Sequence, residues 1–104
     1  MSKIAFKMYL KPGCKNIYKQ RHDEIWPELQ NLLKKEGISH YAIFFDEDTD
    51  TLFAIQEQAE GRSSQSLGQY PIVQLWWHYM SDIMETNKDN SPVSVPLEQI
   101  FYLT

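Results

Sequence analysis

Tyr18 and His22 stand four residues apart, and Trp26 follows at the same interval. Residues i and i+4 share a helix face, so this spacing predicts a phenol, an imidazole and an indole in line. Imidazole is the side chain whose unperturbed pKa lies nearest neutrality, which suits it to proton transfer. Indole and phenol rings are flat apolar surfaces with one polar handle each. A second aromatic cluster, Trp76-Trp77-His78-Tyr79, lies far downstream. A general acid beside aromatic platforms suits a small polyhydroxylated ligand such as a sugar.

Each of these residues also has a plainer use. A lone His22 could be a solvated surface side chain; its aromatic company is what raises its interest. Tyr18 and Tyr41 could be core tyrosines whose hydroxyls reach the surface. Neighbours on a helix point about 100° apart, so Trp76 and Trp77 are expected to divide between core and pocket. His40 and His78 read as structural or exposed, and Asp23, Glu24 and Glu28 as a solvated helix face. The three histidines lack HxH or HExxH spacing, so no metal site is expected. There is no glycine-rich phosphate loop and no Ser/His/Asp nucleophile signature.

The elements that must carry these residues are legible from periodicity. Ile4, Phe6, Met8 and Leu10 alternate with Ala5, Lys7 and Tyr9, the period of a strand, which Pro12-Gly13 closes. Ile17, Ile25, Leu29, Leu32 and Leu33 recur at helical spacing, with Gly37 as the stop. Pro27 inside that stretch must kink the helix or divide it. Ile38 to Phe45 reads as a strand with Tyr41, Ile43 and Phe45 on one face. The polar turn 46–50 joins it to a partner strand from Thr51 to Gln56. Gly61 to Gly68 is a loop or short helix. Pro71 opens a second helix whose apolar residues, Ile72 to Met84, cover nearly its whole circumference, so it is buried on more than one side. Asn87 to Pro92 is a turn-rich loop, and Leu97 to Leu103 resembles a last strand.

The order β-α-β-β-α-β is the split βαβ, or ferredoxin-like, α+β motif: a four-stranded antiparallel sheet with its helices on one face. Ile43 and Phe44 point to opposite faces, yet both are large hydrophobes, so the second face needs cover too. The simplest cover is a second copy, giving a homodimer.

Composition narrows the partners. The 104 residues suffice for one small domain spanning 1–104. Aromatic residues reach 13%, enough to furnish a core, an interface and a pocket together. A net charge of -4 gains little from the phosphate attraction behind nucleic-acid binding. No stretch approaches the ~20 apolar residues of a membrane span, and the N-terminus lacks a signal-peptide pattern. Cys14 is the only cysteine, which suits a reducing cytosol. A cytoplasmic protein is therefore expected, with neither nucleic-acid nor membrane partner.

The run Tyr18-Lys-Gln-Arg-His22-Asp-Glu-Ile-Trp26-Pro27-Glu28-Leu29 resembles the signature of the L-rhamnose mutarotases. So do Tyr41-Ala42-Ile43, the stretch from Trp76 to Met84, Asp89 to Ser94 and the tail Phe101-Tyr102-Leu103. The likeness spans essentially the whole chain and is weakest from Gly61 to Gly68. It implies a dimeric α+β barrel of ferredoxin-like chains that interconverts the anomers of L-rhamnopyranose without metal or organic cofactor. By position it implies His22 as proton donor and Tyr18, Tyr41, Trp76 and Trp77 as substrate-binding residues. Ring opening needs a proton on the ring oxygen and loss of the anomeric hydroxyl proton. One imidazole with a pKa of about 6.5 can supply a proton and retrieve it on reclosure. The base stays open, because a phenol with a pKa of about 10 is a poor one at neutral pH. Two other readings stay open beside it: a cofactor-free oxygenase on the same barrel, and a sugar-binding module without catalysis.

Overall fold

The alternation at the N-terminus is realised as β1, Ser2–Tyr9, in a computed structural model that describes residues 2–59 and 63–104. Phe6 and Met8 of β1 are buried under the helices. The helical stretch that follows is two helices, because Pro27 divides it. The first is α1, Lys15–Asp23, and the second is α2, Pro27–Lys35. Proline at the first position of α2 lacks only an N–H that would have no intrahelical partner there. Lys34 and Lys35 sit in the last turn, where cations face the negative end of the helix dipole.

The division overturns two readings made from one continuous helix. Trp26 caps α2 in an extended conformation, so it does not continue the face of Tyr18 and His22. Ile17, expected in the apolar stripe, is 40% exposed, and Tyr18 is the residue α1 buries.

Gly37 follows α2 with φ +84°, a left-handed conformation that glycine adopts without a side-chain clash. A Cβ there would sit 3.0 Å from Cβ of Ala59. Gly37→Ala is therefore expected to lower the unfolding free energy by about 1–2 kcal/mol, read from urea melts. An unchanged midpoint would show that this turn is not strained by a side chain.

The chain then runs through β2, Ser39–Asp46, and β3, Thr51–Gln58, an antiparallel hairpin. At its turn the Asp46 carboxylate accepts the backbone N–H of Asp48 and the hydroxyl of Thr49, each at 3.0 Å. A register shift between Ser39 and Ala42, with His40 at φ +48°, bends the start of β2 beside Tyr41. Such bulges re-aim side chains.

Ser64–Ser66 form a 3₁₀ turn within the segment read as loop or short helix; Gly61 and Arg62 of that segment lie outside the described residues. Helix α3, Pro71–Met80, opens at Pro71 as expected but ends earlier than the apolar run. Ile83 and Met84 are buried from the turn beyond it, where Met84 bridges to Leu10.

The last strand, β4, is Val95–Leu97, shorter and earlier than Leu97 to Leu103. Pro96 is admissible because β4 is an edge strand with a free side. Ile100, Phe101, Tyr102 and Leu103 run on without alternation and are exposed, Ile100 at 90%, since one chain offers no second layer to bury them.

The sheet order is β2-β3-β1-β4, all antiparallel, with the helices on one face: the ferredoxin-like arrangement. Phe6, Met8, Leu52 and Ala54 from the sheet meet Tyr18, Leu29, Val73, Trp76, Trp77 and Met80 from the helices in one core. The opposite sheet face keeps Phe44 61% exposed, flanked by Ile55, Val95 and Leu97.

Candidate active site

A cavity of about 860 Å³ opens between the helices and the sheet. That lies within the usual range for small-molecule sites. Tyr18, His22, Tyr41, Trp76 and Trp77 all line it, so the residues singled out in the sequence are brought together. Three separate elements supply them: α1, β2 and α3. Apolar side chains such as Leu29, Ile43, Phe45 and Met80 complete the walls.

His22 is the most constrained of the five. Its Nδ1 lies 3.1 Å from the carbonyl oxygen of Tyr18, one turn earlier on α1. A carbonyl can only accept, so Nδ1 carries the hydrogen and Nε2 is the nitrogen left for a ligand. The ring stacks on Tyr18 with centroids 4.2 Å apart and meets the Trp76 ring edge-on at 5.4 Å. Burial lowers the His22 pKa from its ordinary 6.5, opposed by the hydrogen bond to the Tyr18 carbonyl and by the charge of Asp23. The neutral ring is thus the resting form near neutral pH.

Tyr18 and Tyr41 have raised pKa values, chiefly because both are removed from water. The neighbouring Tyr41 raises Tyr18 further, whereas a hydrogen bond from Ser64 pulls Tyr41 back down. Both phenols therefore remain protonated at neutral pH, which rules against either as a resting phenolate.

Trp76 and Trp77 do not divide between core and pocket as expected; both are buried and both line the cavity. Trp76 packs edge-on against Trp26 at 5.1 Å and lies 5.7 Å from the Tyr79 ring. Trp26 thus serves the site from behind, although it left the face of α1. Trp77 is wedged against Gly68, where a Cβ would fall 2.9 Å from its ring.

Two supporting groups escaped the sequence reading. Arg21, adjacent to His22, grips Asp82 with both terminal guanidinium nitrogens at 2.8 and 3.1 Å and donates to the Tyr79 carbonyl at 2.7 Å. Its guanidinium also lies 4.4 Å from the Tyr79 ring centroid. These contacts tie α1 to the C-terminal end of α3 and hold His22 against Trp76. They also hold the Asp82 carboxyl below its ordinary range, with the Arg21 hydrogen bond first. The second group is Gln56 with Ser64, behind Tyr41. Gln56 is fully buried, and a polar residue at the inward-facing position next after Leu52 and Ala54 of a strand was the available signal.

His40 and His78 are exposed, as expected. Among the described residues no group of three or more His, Cys, Asp or Glu side chains could hold a metal ion. No helix among them is long and apolar enough to cross a membrane.

A ferredoxin-like sheet with a partly buried imidazole in an aromatic, largely apolar cavity defines a class: small α+β proteins with a pocket for a small ligand. The profile of the L-rhamnose mutarotase family matches residues 3–103, and the chain belongs to that family. It is 54% identical over 103 residues to an L-rhamnose mutarotase of Formosa agariphila, with 99% of each chain covered. The same figures hold for one of Bacteroides thetaiotaomicron. The crystal structure of an L-rhamnose mutarotase from Formosa agariphila superposes with a TM-score of 0.93 at 51% identity, covering 100% of both chains.

Proposed function

We propose that this protein interconverts the α and β anomers of L-rhamnopyranose by ring opening and reclosure, with His22 as the group that moves the proton. The observation that supports this role is the tether of Nδ1 to the Tyr18 carbonyl, which leaves Nε2 as the working nitrogen. In the resting neutral ring, Nε2 takes the proton of the anomeric hydroxyl. The C1–O5 bond breaks, the electron pair on O1 forms the aldehyde carbonyl, and the imidazolium returns the same proton to O5. Rotation about C1–C2 and the reverse sequence on the other carbonyl face give the second anomer. His22 is thus base and then donor, and the scheme consumes no net proton and calls on no metal. Tyr18, Tyr41, Trp76 and Trp77 are the proposed substrate contacts: phenols to sugar hydroxyls, indoles against the sugar's C–H faces. The apolar walls suit a 6-deoxy methyl, a preference of roughly 1–3 kcal/mol.

Saturation-transfer NMR on L-rhamnose at anomeric equilibrium tests this reading. Accelerated exchange supports it; a folded protein that binds rhamnose without speeding exchange makes it a sugar-binding module instead. Oxygen consumption with an apolar aromatic substrate would favour the oxygenase alternative.

A homodimer belongs to the same proposal. It is supported by the uncovered apolar sheet face around Phe44 and by the exposed tail of Ile100, Phe101 and Leu103. Burying one such side chain contributes about 1.5–3 kcal/mol, and twofold symmetry counts each twice. Phe44→Glu is expected to convert a dimer into monomer in sedimentation velocity. A wild-type protein that sediments as a monomer at micromolar concentration would refute the pairing. The lone Cys14 suits a reducing compartment, so a cytoplasmic location completes the proposal.

A further inference from the structure

We propose that Gln56 and Ser64 are positioning residues that turn the Tyr41 phenol into a hydrogen-bond donor toward the cavity. The inference rests on the mutarotase reading for what Tyr41 meets there, but the wiring behind it is read from four contacts. The backbone N–H of Ser64 lies 2.9 Å from Oε1 of Gln56. A backbone N–H can only donate, so that oxygen is an acceptor and the orientation of the Gln56 amide is decided without seeing a hydrogen. Nε2 of Gln56 then faces Oγ of Ser64 at 2.9 Å, and an amide NH₂ can only donate. Nε2 of Gln65 approaches the same Oγ at 3.2 Å, a second donor. Both lone pairs of the Ser64 hydroxyl are thereby engaged, which leaves its one hydrogen to give away. Among the described residues the remaining neighbour is Oη of Tyr41, at 3.4 Å. Tyr41 accepts that hydrogen, and its own O–H is free to donate to an oxygen of the bound sugar.

The arrangement is suited to hold this direction. Gln56 is 0% exposed and Ser64 is buried, so water does not compete for the amide or the hydroxyl. The 3₁₀ turn that presents Ser64 is itself capped: the Ser63 hydroxyl accepts the N–H of Gln65 at 3.1 Å, and the Ser66 hydroxyl accepts the N–H of Ser63 at 3.0 Å. A buried polar network whose donors and acceptors up to the Tyr41 oxygen are paired favours one arrangement over its alternatives. A donor on Tyr41 also answers which group is not the base: a phenol that must keep its proton to serve the sugar cannot take another.

The test uses Ser64→Ala, Tyr41→Phe, their combination and Ser64→Thr, with anomer exchange followed over a rhamnose series to separate KM from kcat. Ser64→Ala is expected to lower exchange efficiency about 3- to 10-fold, and Ser64→Thr to restore it. In the Tyr41→Phe background Ser64→Ala is expected to cost nothing more. Additive losses, or no loss from Ser64→Ala alone, overturn the proposal. If Ser64→Ala does not fold, Ser64→Cys, a weaker donor of similar shape, takes its place with the same expectations. The Tyr41 phenol is also titrated by ¹³Cζ tyrosine NMR, its resonance identified by loss in Tyr41→Phe. Removing a donor to the phenolate is expected to raise the titration midpoint in Ser64→Ala; an unmoved midpoint overturns the wiring. Should wild-type protein leave rhamnose anomers unexchanged, the mutarotase reading fails, and this titration alone decides the direction of the hydrogen bond.

Discussion

Replacing His22 by alanine is expected to leave a folded protein that exchanges rhamnose anomers about 100- to 10,000-fold more slowly, the usual contribution of a positioned acid or base. His22 is only partly buried, so its loss creates no large void in the core. The effect should fall on turnover, because Tyr41, Trp76 and Trp77 still line the cavity. Protonated imidazole has no lone pair at Nε2, so wild-type exchange is expected to decline in acid, with a midpoint below 6.5 because burial disfavours the cation. His22→Gln should abolish that limb along with the activity. Stability follows the same sign. The unfolded chain takes up a proton at about 6.5, while the folded chain resists it until lower pH. The contribution of the neutral ring is therefore complete above the unfolded value and is lost as pH falls through the folded one. Saturation-transfer rates and urea melts across mildly acidic pH read both effects. A folded His22→Ala protein with undiminished exchange would remove this residue from the mechanism.

Trp76→Ala is expected to lower the unfolding free energy by about 3–5 kcal/mol, the range for deleting a buried aromatic side chain. Trp76 meets His22, Trp26 and Tyr79, so its removal opens a void between α1, the start of α2 and α3. It also lets water reach the imidazole. In a destabilised but folded variant, the His22 midpoint should therefore rise back toward 6.5 as desolvation weakens. Trp76→Phe keeps a ring at the contact and should show a smaller loss of stability with a smaller rise. Chemical denaturation and histidine Cε1–H NMR titration measure the two quantities independently. A Trp76→Ala protein with wild-type stability and an unmoved His22 midpoint would show that the indole neither supports the core nor shields the ring.

The Arg21 contacts hold the frame in which His22 and Trp76 meet. A bidentate guanidinium–carboxylate pair combined with a carbonyl and an aromatic face gives α1 a rigid attachment to the end of α3. Its side chain is only 11% exposed, although Asp82 is largely solvated, so its value lies in geometry more than in the energy of one ion pair.

Much of this protein was determined along the chain itself. The alternation of Ile4, Phe6, Met8 and Leu10 specifies β1, Pro27 and Pro71 specify where α2 and α3 begin, and Gly37 specifies where the first helical stretch stops. Tyr18 and His22 share a helix face for the same local reason, since backbone geometry fixes what lies one turn away. Tertiary structure decided the rest, because packing is not periodic. Trp26 left the face of α1 yet returned to the site by packing edge-on behind Trp76. Trp76 and Trp77, which point apart on α3, both reach one cavity because helices and sheet enclose that helix on two sides. Gln56 of β3 and Ser64 of the short 3₁₀ turn came together through side-chain hydrogen bonds that no local period records. The apolar tail that reads as a strand stays exposed beyond Leu97, because a strand needs a surface to cover as well as residues that favour one.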